Sequence, residues 1–179
     1  PISPVVASAM LPDGEGELEL AFRQLKEKLE NEGLFDIAAK KEIPNLPKKI
    51  ALVTSATSAA LQDMLKVVTS RWKLSEIYIF DALTQGENAP SSLIKALRRA
   101  DKYGVDVIVL ARGGGSKEDL WCFNDEGLAR EIYATKTPVI SAIGHEIDYV
   151  ISDFVADRRS LTPSAAMLDL LPDEEAFFQ

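Results

Sequence analysis

The sequence is poor in residues that build covalent or metal-based frameworks: its 179 positions hold one cysteine and one histidine. A lone thiol, Cys122, cannot close an internal disulfide, which points to a reducing compartment, the cytoplasm by default. One His, one Cys and scattered carboxylates form no zinc pattern, and Glu146 and Asp148 alternate too closely to define a carboxylate cage. No metal site or cofactor is therefore expected, beyond room for weak magnesium binding. No apolar run approaches the roughly 20 residues of a membrane span, and no basic segment followed by an apolar one opens the chain, so neither a span nor a secretory leader is expected. Basic charge is also in deficit. Twenty Lys and Arg against 28 Asp and Glu give a net charge of −8, which weighs against a protein that grips nucleic acid by bulk phosphate attraction. It leaves open an enzyme with a local cationic groove.

What is present is 46% hydrophobic and 27% charged, the profile of one globular domain able to bury a sizeable core. The chain opens at Pro1 rather than Met and closes just after Asp173, Glu174 and Glu175, so a piece of a longer protein is expected. Residues 1–16 are punctuated by Pro and Gly and read as a lead-in. From Glu17 to Glu32, Leu18, Ala21, Phe22, Leu25 and Leu29 recur at helical spacing, and Gly33 supplies a stop. Leu34 to Lys41 reads as a further helical turn, and the prolines of Ile43 to Pro47 as a linker. The expected division is a segment of lead-in, helix and linker over 1–47 and an α/β domain over 48–179.

Beyond Lys49 short β-branched runs alternate with helix-length segments. Ile50 to Thr54, Glu76 to Phe80, Val105 to Ala111 and Pro138 to Ala142 are apolar enough for buried parallel strands. Ala59 to Ser70, Ser91 to Tyr103, Glu118 to Ala134 and Asp148 to Val155 fill the intervals as helices, and Leu161 to Leu170 reads as one more. The order predicts an α/β fold with a doubly wound, mostly parallel, Rossmann-like sheet flanked by helices. In such sheets ligands bind beyond the carboxyl ends of the strands, which directs attention to the loops there.

The first such loop, Thr54 to Ala60, carries four hydroxyls at a helix start, Ser55 and Thr57 among them, and leads to Asp63. An anion can sit at such a start, although a plain N-cap by Thr57 or Ser58 and a solvated Asp63 explain the same residues. The third loop, Arg112, Gly113, Gly114, Gly115 and Ser116, is the strongest local signal. Its glycines permit positive φ and close backbone approach, free N–H groups cradle phosphoryl oxygens, and Arg112 offers a bidentate cation. A helix with Glu118 and Asp119 in its first turn is expected to follow. The fourth loop carries Gly144, His145 and Glu146, with Asp148 three residues after the imidazole, a pair suited to general acid or base chemistry near neutral pH. Trp121 and Phe123 read as core anchors, with base stacking as the other reading, and Cys122 as a small hydrophobe beside them. Arg158 and Arg159, after Asp153 and Asp157, read equally as guides for a phosphate backbone or as a surface salt-bridge cluster.

Longer strings then stand out: Ala111 to Ser116, Asp119 to Trp121, Phe123 to Glu126, Pro138 to Glu146 with Asp148, Asp153 to Arg159, and Thr162 to Ala166. In these strings and their order the chain resembles the exonuclease VII large subunit family, over nearly its whole length. Departures are Ser55-Ala56-Thr57-Ser58 where the family commonly has Ser-Pro-Thr-Gly, and Ile147 in place of a common Thr. The resemblance implies an exodeoxyribonuclease that degrades single-stranded DNA from either end to short oligonucleotides, without an obligatory divalent cation. It also implies an OB-type domain ahead of this region and a helical region after it that recruits small subunits, both absent here. The family's functional positions fall on Asp63, Arg112, His145 and Asp148, with phosphate contacts expected from Gly113, Gly114, Gly115, Ser116, Ser55 and Thr57. The competing reading is a non-catalytic phosphate- or nucleotide-binding module, and the isolated chain is expected to be inactive.

Overall fold

The computed structural model describes residues 13–143 and 148–173. The chain divides into two compact units, Pro1–Asp36 and Ile37–Gln179. In the first, the amphipathic repeat forms α1, Asp13–Asn31. It ends where Gly33 takes φ 88°, with Gly33 N donating to Glu30 O at 3.0 Å and Leu34 N to Leu29 O at 3.1 Å. This bond pair satisfies carbonyls that a helix end otherwise leaves open, and the left-handed φ it needs favours glycine.

The second unit is an α/β fold. Its strands β1 (Lys49–Thr54), β2 (Glu76–Asp81), β3 (Val107–Arg112), β4 (Val139–Ile143) and β5 (Arg158–Arg159) are all parallel and lie in the order β2-β1-β3-β4-β5. Its α-helices among the described residues are α2 (Ala59–Arg71), α3 (Ala89–Tyr103), α4 (Glu126–Ala134), α5 (Ile151–Val155) and α6 (Pro163–Leu170). The central strands are apolar at nearly every position because helices cover both faces. Alternate residues Ile50, Leu52, Val107, Val109, Ala111, Ile140 and Ala142 pack with Leu61 and Met64 of α2 and Ala166, Met167 and Leu170 of α6. The intervening residues Val53, Ile108 and Leu110 are also fully buried, with α3 packed on β1, β2 and β3.

Strand order fixes where a ligand can bind. From β1 the chain crosses to β2 on one side of the sheet, and β3 then returns to the other side of β1. The loops leaving β1 and β3 therefore part from each other, opening a crevice at their carboxyl ends.

The structure departs from the sequence reading at several places, among them the helix expected over Asp148 to Val155, which starts only at Ile151. Glu118 to Ala134 is not one helix: a turn over 117–120 leads to a 3-10 helix, Trp121–Asn124, and α4 starts only at Glu126. Apolar residues do recur through the break, but Asp125 accepts Leu128 N at 2.9 Å, and a carboxylate that caps a backbone N–H starts a new helix. Another is β5, whose two arginines lack any strand-like apolar run. Between the units' boundary and β1, the expected helical turn is a 3-10 helix, Ile37–Ala39, and Lys40 Nζ donates to Phe154 O and Ala156 O, both at 2.7 Å.

Asp101, near the end of α3, fastens the start of β4. Its carboxylate accepts Lys136 N at 3.2 Å, Thr137 N at 3.0 Å and the Thr137 hydroxyl at 2.7 Å. Partial burial pushes its pKa up, but these bonds outweigh burial and hold it below the ordinary 3.8. A carboxyl whose pKa is depressed by folding stabilises the fold above its unfolded pKa and loses that contribution as pH falls through the folded value. Asp101→Asn is accordingly expected to cost on the order of 1 kcal/mol at neutral pH. Denaturant melts should show the gap between variant and parent narrowing below pH 4.

Candidate active site

The site is built at the carboxyl ends of β1, β3 and β4. Arg112 is the last residue of β3 and pairs with Ile143, the last of β4. Its guanidinium makes four hydrogen bonds: Nε to Thr84 O at 3.1 Å, Nη1 to Gly113 O at 2.7 Å and Gly114 O at 2.9 Å, and Nη2 to Gln85 Oε1 at 2.6 Å. Four of its five donors are thus spent on the protein. Arg112 acts here as the hub of the glycine loop, tying it to the β2–α3 connection, more than as a fork held out to a ligand.

That hub decides where the loop amides point. A trans peptide is planar, with its C=O and N–H on opposite sides, so drawing the carbonyls of Gly113 and Gly114 onto the guanidinium turns the N–H groups of Gly114 and Gly115 away from it. Neither N–H has a hydrogen-bond partner among the described residues. Two adjacent amides turned from the guanidinium and left open by the described residues can meet an oxyanion. The freedom for positive φ is not used at Gly113 or Gly115. Gly115 is needed for clearance instead, because a Cβ there would lie 2.8 Å from Arg112 Nη1 and 3.1 Å from Asp119 Cβ. The loop closes on Ser116, whose hydroxyl accepts Asp119 N at 3.2 Å while Asp119 Oδ2 accepts Ser116 N at 3.3 Å. No helix opens there, and the Ser116 amide is committed to this turn.

In the β1 loop, Ser58 is the N-cap of α2: its hydroxyl accepts Leu61 N at 3.1 Å and donates to Ser55 O at 2.7 Å. The Ser55 and Thr57 hydroxyls lie 3.3 Å apart, and Ala56 N donates to Asp81 Oδ1 at 2.8 Å. Asp63 is exposed one turn into α2 and makes no hydrogen bond or ion pair among the described residues. Gly144 and His145 lie outside the described residues, and Asp148 is exposed. The structure thus groups Arg112, the glycines and the strand end that precedes His145, and it links Asp63 to them by no bond among the described residues. No group of three or more His, Cys, Asp or Glu side chains fit to share a cation occurs among the described residues.

Other residues fasten the segment that follows β4, among them Asp153 and Arg159, already noted in the sequence, and Asn124, which the sequence reading does not single out. Asp153 is buried. Its Oδ2 accepts Val150 N at 2.9 Å, its Oδ1 accepts the Ser141 hydroxyl at 2.8 Å, and Arg159 Nε stands 3.6 Å away as an ion-pair partner. Burial raises its pKa, opposed by the Val150 N–H, Ser141 and Arg159. Arg159 also lies 3.9 Å over the Tyr149 ring. Asp153 and Arg159, read equally as part of a surface salt-bridge cluster or of a guide for a phosphate backbone, form an interior pair, while Asp157 pairs with Lys41 at 3.3 Å. Asn124, buried, accepts Ile151 N through Oδ1 at 2.7 Å. A polar residue directly after an apolar string, as Asn124 after Trp121-Cys122-Phe123, is the signal that marks such an anchor.

Phe123 is a core anchor at 1% exposure, and Cys122 is buried with its Sγ 3.3 Å from Thr84 O. Burial pushes the Cys122 thiol up to about 11. The thiolate is the reactive form, so Cys122 should resist alkylation near neutral pH in the folded protein and react readily in denaturant, as mass spectrometry can record. Fast modification of the native chain would contradict this packing.

Among the described residues no helix is long and apolar enough to cross a membrane. Comparison with known proteins matches residues 34–179 to the family model for the exonuclease VII large subunit. The chain is 67% identical over 175 residues to an exodeoxyribonuclease 7 large subunit of Campylobacter fetus, covering 98% of this chain and 45% of that protein. It is 63% identical to a Campylobacter jejuni protein of the same description (90% and 42% covered) and 59% identical to that of Campylobacter hominis (98% and 45%). The chain spans less than half the length of these curated relatives. With the match running through the glycine loop and both flanks of the 144–147 segment, the chain belongs to the exonuclease VII large subunit family.

Proposed function

We propose that this chain carries the hydrolytic centre of an exodeoxyribonuclease that cuts phosphodiester bonds of single-stranded DNA to short oligonucleotides. In this reading it works as part of a cytoplasmic complex of large and small subunits, with the small subunit held by a region outside the chain. The observation that carries the proposal is the pair of amides, Gly114 and Gly115, that Arg112 turns away from its guanidinium next to the end of β4. A phosphoryl oxygen on those amides gains stabilisation as charge builds on the five-coordinate phosphorus. Water attacks phosphorus, the P–O ester bond breaks, and the departing oxygen takes a proton. His145 moves the protons, Asp148 orients the imidazole, and Asp63 positions water. The Ser55 and Thr57 hydroxyls and Ser116 contact flanking phosphate oxygens. None of these steps calls on a metal ion.

A non-catalytic phosphate-binding module would use the same amides without proton transfer, and the proposal differs from it in requiring turnover. The test offers the full-length chain, assembled with its small subunit, single- and double-stranded DNA of equal length with excess chelator. Release of short oligonucleotides from the single strand alone is expected, and the 179-residue chain by itself should be inert. Equal cutting of duplex, or tight binding with no cutting, would contradict the proposal.

A further inference from the structure

We propose that Asn124 is a positioning residue that locks the Asp148 segment to the glycine loop, an inference that rests on the hydrolytic reading above. Asn124 ends the 3-10 helix that follows the loop, and its side chain reaches 27 residues along the chain to accept Ile151 N at 2.7 Å. The amide orientation is forced, because only its oxygen can meet a backbone N–H. Three consecutive residues after Asp148 are clamped. Tyr149 lies under the Arg159 guanidinium at 3.9 Å, Val150 N is held by Asp153 at 2.9 Å, and Ile151 N by Asn124. Asp153, in α5, and Arg159, in β5, lie a few residues after the positions they hold. Among these three clamps, Asn124 alone comes from the stretch that begins at Arg112.

That stretch is anchored at its other end as well. Thr84 O accepts both Arg112 Nε and the Cys122 thiol, so the glycine loop and the 3-10 helix share one support. A continuous series of bonds therefore runs from the proposed phosphate cradle through Asn124 to the residue three positions after Asp148. A site built from two loops works only while their separation is held, and a displacement of about 1 Å costs on the order of 100-fold in rate. Asn124 supplies that constraint from a buried position.

The test compares Asn124→Ala, Asn124→Asp and His145→Ala in the full-length chain assembled with its small subunit. Asn124→Ala is expected to lower kcat by about 10- to 100-fold with KM little changed, and to shift the pH profile of kcat as the Asp148 segment drifts from its partner. Asn124→Asp keeps an acceptor in place and should recover most of the lost rate. The inference is overturned if Asn124→Ala retains wild-type kcat, or if its loss follows the folded fraction alone with an unshifted pH profile and no rescue. Wild-type rates in His145→Ala would instead remove proton transfer by His145, and tight binding of single-stranded DNA with no cutting by the unaltered complex would sink the hydrolytic reading itself, whatever Asn124 does.

Discussion

Replacing Arg112 with alanine is expected to lower the single-turnover rate of single-stranded DNA cleavage by about 100- to 1,000-fold, the effect of losing donors to a developing oxyanion. The reasoning runs through the backbone. Without the guanidinium the carbonyls of Gly113 and Gly114 lose the donors that orient them, and the Gly114 and Gly115 amides lose their direction. Arg112→Lys should recover little. One ammonium cannot span Thr84 O, Gln85 Oε1 and two loop carbonyls in the way a planar fork does. A Lys variant with near-normal rates would mean that bulk positive charge, and not loop geometry, is what the site needs. Gly115→Ala provides an independent check, since its Cβ would meet Arg112 Nη1 at 2.8 Å and push the same hub out of place.

His145→Ala is expected to have a comparable or larger effect, about 100- to 10,000-fold, because a general acid or base supplies that much. One limb of the pH profile should vanish in the variant, since an imidazole is the side chain whose ordinary pKa titrates between pH 5 and 8. Asp148→Asn, which keeps the shape and removes the charge, should lower the rate less and move the same limb to lower pH, because a neighbouring carboxylate raises an imidazole's pKa and its removal lowers it. A variant lacking the imidazole that cuts at the normal rate would remove proton transfer by His145 from the mechanism.

The sheet was legible because its central strands are buried on both faces and so appear as unbroken apolar runs. β5 was not, since a two-residue strand of arginines holds its place by pairing with Ile140 and Ser141 rather than by its own pattern. The break at Asn124 and Asp125 was hidden for a related reason: apolar residues continue at helical spacing through it, and only the Asp125 cap decides the outcome. At the site, composition pointed to the glycine loop, but the job of each glycine depended on a contact the sequence does not encode locally. Gly115 is there to clear the Arg112 side chain. The same holds for Asn124 and Asp153. Asn124 meets a backbone N–H 27 positions away, and Asp153 meets a hydroxyl 12 positions away, separations that no local periodicity reveals.

The most direct test of the site is a structure of the full-length chain with its small subunit and a single strand carrying uncleavable phosphodiester analogues. The account predicts a phosphate within hydrogen-bond distance of Gly114 N and Gly115 N, with the His145 imidazole facing its ester oxygen. A strand whose phosphates bypass the carboxyl ends of β3 and β4, leaving those two amides without a phosphate, would contradict it.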